Sequence, residues 1–119
     1  MLVWNEYDFI ECLGVLPEVK EYKTSHFYKV EKDGLRLELT VFQYDGDIYI
    51  DLFRDKIEHS VFRMRMIDCP GVRYVKNQSG TEYLELAATN SFGSRYDGES
   101  VIPFGVRLTV NPNIRIELF

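Results

Sequence analysis

LRLELTVFQYDGDIYIDLFR, residues 35–54, decides how this chain folds. Apolar and polar side chains alternate on both sides of Asp45-Gly46, which is the period of a half-buried strand. Asp-Gly between two such runs is a strong hairpin signal, because a type I′ turn needs positive φ at both central residues. A two-residue turn there sets Val41 opposite Ile50 and Leu39 opposite Leu52 on one face. The other face then pairs Phe42 with Tyr49, Thr40 with Asp51 and Arg36 with Asp55.

The preceding Asp33-Gly34 is a second turn of the same kind. It sets Val30 against Leu37 and Tyr28 against Leu39, with Glu31 facing Arg36 and Lys29 facing Glu38. Both turns assign the same middle-strand residues to the apolar side. A one-residue slip in either would mix charged and apolar positions, so the agreement supports the pairing. Continuing the pattern matches Leu52 with Phe62 and Ile50 with Met64, which brings Asp51 to Arg63 and Tyr49 to Arg65. A later hairpin matches Tyr74 with Leu84 and Arg73 with Glu85. The last matches Val110 with Ile114, Leu108 with Ile116 and Arg107 with Glu117.

Upstream the period is helical. Asn5 is suited to cap a helix over Glu6 to Leu13, Glu6 and Asp8 favour its positive end, and Gly14 is suited to close it. Residues from Glu18 to Thr24 read as a polar connector. Strands are expected at about Ser25–Lys32, Leu35–Gln43, Ile48–Arg54, His59–Met66, Val72–Lys76, Glu82–Ala87, Val106–Val110 and Ile114–Leu118. The expected fold is mainly β (α+β), with one short N-terminal helix and a roughly eight-stranded antiparallel meander. A sheet of that size twists strongly and closes into a small barrel or folds into a two-layer sandwich.

The 119 residues suit a single domain over 1–119, and 45% hydrophobic content is too apolar for disorder. The net charge of -5 argues against nonspecific nucleic-acid binding, which needs a cationic surface. No apolar run approaches the roughly 20 residues of a membrane span. The cysteines, Cys12 and Cys69, form no CxxC motif and point to a reduced, cytoplasmic setting.

Two regions are candidates for function. The first is the charged face around Arg63, Arg65 and Arg73, flanked by Tyr49, Phe42, Phe53 and Phe27. Guanidiniums beside aromatic rings suit protein contacts and anion recognition. The competing explanation is a wet face laced by ion pairs. Several large rings together on that face imply that something covers them, either the chain itself or a partner.

The second region is NSFGSRYDGESVIPF, residues 90–104, within a long irregular stretch over 88–105. Arg95, Tyr96, Asp97 and Glu99 are its candidate contact residues, Arg95 and Tyr96 foremost, and an Ω-like loop packed by its own aromatics is the structural alternative. His26 and His59 lack metal-ligand spacing, DGDIYID lacks the layout of a calcium loop, and Cys69 has no evident base. No metal and no cofactor are expected.

These residues support a non-enzymatic module that binds another protein. A small acidic domain is suited to neutralising a basic partner; toxin-immunity proteins do so, an analogy of class only. A small-molecule-binding β-barrel and an enzyme acting on an anionic substrate are the alternatives.

Overall fold

A computed structural model describes residues 2–88, 102 and 104–119. Helix α1 spans Glu6–Leu13. The Asn5 side chain accepts the Tyr7 N–H at its start, and the Gly14 N–H reaches the Ile10 carbonyl at its end, with φ 73. Phe9, Cys12 and Leu13 are its buried side. The described strands are β1 (Glu18–Val19), β2 (His26–Lys32), β3 (Leu35–Phe42), β4 (Asp47–Arg54), β5 (Phe62–Met66), β6 (Val72–Lys76), β7 (Glu82–Ala87), β8 (Gly105–Thr109) and β9 (Arg115–Leu118).

The strands form two antiparallel sheets in the orders β1-β2-β3-β4-β5 and β6-β7-β8-β9. They do not close into a barrel. The meander breaks between β5 and β6, and the arrangement fits a sandwich. Leu37, Leu39, Ile48 and Ile50 of the first sheet share one enclosed cluster with Leu84, Leu86 and Leu108 of the second. Phe9 enters the same cluster, its ring 5.0 Å from Trp4 and 5.4 Å from Tyr28. Each fully enclosed large side chain contributes roughly 1.5–3 kcal/mol, so this shared interior dominates stability.

Most of the expected register is present. Tyr28 faces Leu39, Lys29 faces Glu38, Asp51 faces Arg63 and Tyr49 faces Arg65. Arg73 faces Glu85, and Arg107 faces Glu117. The β3–β4 hairpin differs by two residues: Val41 pairs with Ile48, Leu39 with Ile50, Thr40 with Tyr49 and Arg36 with Phe53.

The cause is a longer tip. Asp33 and Gly34 both have positive φ, as a type I′ turn requires, but of Asp45 and Gly46 only Gly46 does. The Gly46 N–H returns to the Phe42 carbonyl at 2.9 Å, closing a wider loop over 43–46. That loop docks elsewhere: the Gly46 carbonyl accepts the Cys69 N–H at 2.7 Å, and Asp47 Oδ1 accepts the Asp68 N–H at 3.1 Å. A shift of two residues keeps every side chain on its face, because the strand period is two.

Two smaller expectations also change. The polar connector contains the short strand β1, which pairs Glu18 with Phe27 and Val19 with His26. The strand expected from His59 starts only at Phe62, leaving His59 exposed in the β4–β5 connection.

Candidate binding surface

Alternation along β3, β4 and β5 turns Arg36, Glu38, Phe42, Tyr49, Asp51, Phe53, Arg63 and Arg65 away from the core. Asp51 Oδ1 accepts from Arg63 Nε at 3.0 Å and from Arg65 Nη1 at 3.1 Å. The Arg65 guanidinium lies 4.3 Å over the Tyr49 ring, and Tyr49 meets Phe42 edge-on at 4.9 Å. Arg36 repeats the device, stacking 4.3 Å over Phe53 while its Nε donates to Glu38 Oε2 at 2.7 Å.

Exposed ion pairs contribute tenths to about 1 kcal/mol each, and exposed cation–π contacts about as much. Those amounts are small beside the core, but they act on conformation. Each guanidinium held by a ring and a carboxylate has lost much of its rotamer freedom in advance. Less ordering then remains to oppose association. Arg63 stays 62% exposed at its side chain, and its Nε is the atom engaged among the described residues.

Arg73 does not join Arg63 and Arg65, because β5 and β6 belong to different sheets. On the second sheet Arg73 donates to Glu85 Oε1 through Nε at 3.0 Å and Nη2 at 2.7 Å. Arg107 Nε donates to Glu85 Oε2 at 2.8 Å, stacks 4.2 Å over Phe119 and approaches Glu117. Glu85 is 1% exposed, so this carboxylate is buried beneath two guanidiniums. Arg95 and Tyr96, with most of the 88–105 stretch, lie outside the described residues.

The cysteines are poor nucleophiles. Burial pushes the Cys12 thiol up to about 12, aided by Glu82 and Asp8. Burial pushes Cys69 up to about 12 as well, and its thiol donates to the Ala87 carbonyl at 3.0 Å, a bond that the thiolate could not make. His26 is buried with Nε2 2.9 Å from Glu6, and Trp4 packs edge-on against its ring. Among the described residues no group of three or more His, Cys, Asp or Glu is placed to hold a metal. No described helix is long and apolar enough to cross a membrane.

Sequence reading missed the Glu85–Arg107 contact. The pairing follows from the β7–β8 register, and the long intervening stretch conceals that register.

The architecture is a mainly antiparallel two-sheet β fold with one short helix. A chain of the solved contact-dependent growth inhibition toxin–immunity protein complex from Klebsiella pneumoniae 342 is similar to it, with a TM-score of 0.73 and 12% identity. The likeness covers 98% of this chain and 95% of that chain, and at this identity it is one of fold. No protein-family model and no curated protein matches the sequence.

Proposed function

We propose that this chain is a protein-binding module of the immunity type, which neutralises a partner protein by masking its surface. The carrying observation is the pre-ordered Arg–aromatic face, in which Asp51 holds Arg63 and Arg65 while Tyr49 supports Arg65. Arginine and tyrosine are enriched in the residues that dominate protein interfaces. Strands β2 to β5, of 7, 8, 8 and 5 residues, at about 4.8 Å spacing and about 3.3 Å per residue, make a face roughly 20 Å across and up to about 26 Å long. That approaches one side of a standard interface, about 800 Å² of accessible surface per partner.

Two further observations support this reading. The neighbouring fold occurs in a complex whose members are a toxin and an immunity protein. The net charge of -5 favours encounter with a basic protein. Free, buried Cys12 and Cys69 suit a reducing, cytoplasmic setting.

The test uses the tagged full chain as bait in extracts of the cells that encode it. The expected result is one stoichiometric partner that arrests growth when expressed alone and is silenced by co-expression of this chain. Recovery of no stoichiometric partner, with the chain running as a lone monomer, would overturn the reading.

A further inference from the structure

The turn between β1 and β2 is strained, and it displays a large ring. Tyr22 and Lys23 have φ 57 and 56, and no other consecutive non-glycine pair among the described residues has positive φ. A bulky side chain in the left-handed region is an outlier, whereas asparagine and glycine enter it readily. The surroundings hold the turn in place. The Lys23 N–H reaches the Lys20 carbonyl at 2.9 Å, and the Lys20 N–H reaches Ser25 at 3.0 Å. From the β3–β4 tip, the Tyr44 hydroxyl donates to the Tyr22 carbonyl at 3.0 Å and Gln43 Nε2 donates to the Lys23 carbonyl at 2.8 Å. Gln43 is in turn gripped by Trp4 Nε1 at 3.3 Å.

This bracing leaves Tyr22 84% exposed, with Tyr44 beside it at 51%. So exposed a ring adds little to the fold, and a smaller residue would hold the turn with less strain. Strain kept by its surroundings at a rigid surface point is a mark of function. A tyrosine offers large contact area with only two side-chain torsions to fix.

Resting on the protein-binding reading above, we propose that Tyr22 is the anchor of the contact, its ring entering an apolar slot on a partner protein whose rim is basic. The charges of the segments forming the corner favour such a rim. Glu6, Glu21, Asp45 and Asp47 stand against Lys20 and Lys23, and Lys23 already lies 3.8 Å from Glu6. The Phe42 ring, two residues before Tyr44, packs on Tyr49, so the corner continues the Arg–aromatic face.

The test places the photoreactive residue p-benzoylphenylalanine at position 22 of the full chain, with position 76 on the second sheet as control. It also compares Tyr22→Asn and Tyr22→Phe for affinity and melting temperature. The probe is the growth-arresting protein retained by the tagged chain. The expected result is a crosslink to that protein from position 22 and none from position 76. Tyr22→Asn should lose about tenfold or more in affinity while melting at the same or a higher temperature, and Tyr22→Phe should keep most of the binding. Retention of the partner without a crosslink at 22, unchanged affinity in Tyr22→Asn, or a lower melting temperature in that variant would overturn the anchor while leaving the binding reading standing. Recovery of no partner at all would remove both.

Discussion

Glu85 and Arg107 meet through Glu85 Oε2 at 2.8 Å, while the other oxygen of the same buried carboxylate is held by Arg73. Both lone-pair sides of Glu85 are thus satisfied from neighbouring strands. Glu85→Ala removes three charge-assisted bonds and leaves two guanidiniums facing each other. Both arginines are partly wet, so solvent screens the residual repulsion. The expected loss is about 2 kcal/mol, read as a lower urea midpoint at unchanged slope.

Three glycines should rank by what a Cβ would strike. At Gly105 it would lie 2.0 Å from the Leu86 carbonyl oxygen, a backbone atom of the adjacent strand. At Gly46 it would lie 3.0 Å from the Cys69 oxygen, at φ 78. At Gly34 it would meet nothing within 4 Å, leaving only the left-handed φ of 76. Alanine at 34 should therefore lose about 1 kcal/mol and alanine at 46 about 2 kcal/mol. Alanine at 105 should fail to give a soluble folded chain. Thermal melts and soluble yield check the order.

The binding face separates affinity from stability. Arg63→Ala removes an exposed side chain that among the described residues is bonded to Asp51 alone, so unfolding free energy should stay within about 0.5 kcal/mol of the parent. Tyr49→Ala removes the support under Arg65 and should weaken partner binding about tenfold or more. Calorimetric titration of the recovered partner, beside melts of each variant, checks both. An Arg63→Ala chain that binds normally would place the contact elsewhere.

Alkaline pH should destabilise the fold through its buried acids. Cys12 and Cys69 move from 9.0 to about 12 on folding, so the folded state holds protons that the unfolded chain releases. Their contribution is full below pH 9.0 and falls as pH climbs from there through about 12. Tyr74, bonded to Glu82 and desolvated, and Tyr28, desolvated in the core, shift in the same direction. Melting temperature should drop over this range, and less steeply in a Cys12→Ala, Cys69→Ala chain. Near pH 8 a thiol-reactive disulfide should label neither cysteine until urea is added.

The hairpins were legible because their information is local. Asp33-Gly34 carries its own turn chemistry, and the charge pairs Lys29–Glu38 and Arg73–Glu85 confirm the register that the apolar residues propose. Local pattern places the Gly46 tip two residues out of register, because its shape depends on Cys69, a contact distant in sequence. Periodicity shows which face a residue takes and is silent on which sheet a strand joins. The pattern therefore puts Arg73 with Arg63 and Arg65, whereas the break between β5 and β6 places it on the other sheet. Tyr22 gave no sign at all, since its left-handed backbone follows from bonds made by Gln43 and Tyr44.

The segment at Leu2 and Val3 ties the two sheets together. The Leu2 N–H reaches the Gln43 carbonyl, the Val3 N–H reaches Pro70, and the Val72 N–H returns to Val3 in a parallel bridge beside Gly71. On the ribosome these residues emerge before any of their partners exist. The β2–β5 ladder can zip as it is made, but the rivet joining the halves must wait until Val72 has left the exit tunnel. Leu2 and Val3, made ahead of every backbone partner they bond, are thereby among the late residues to find their places.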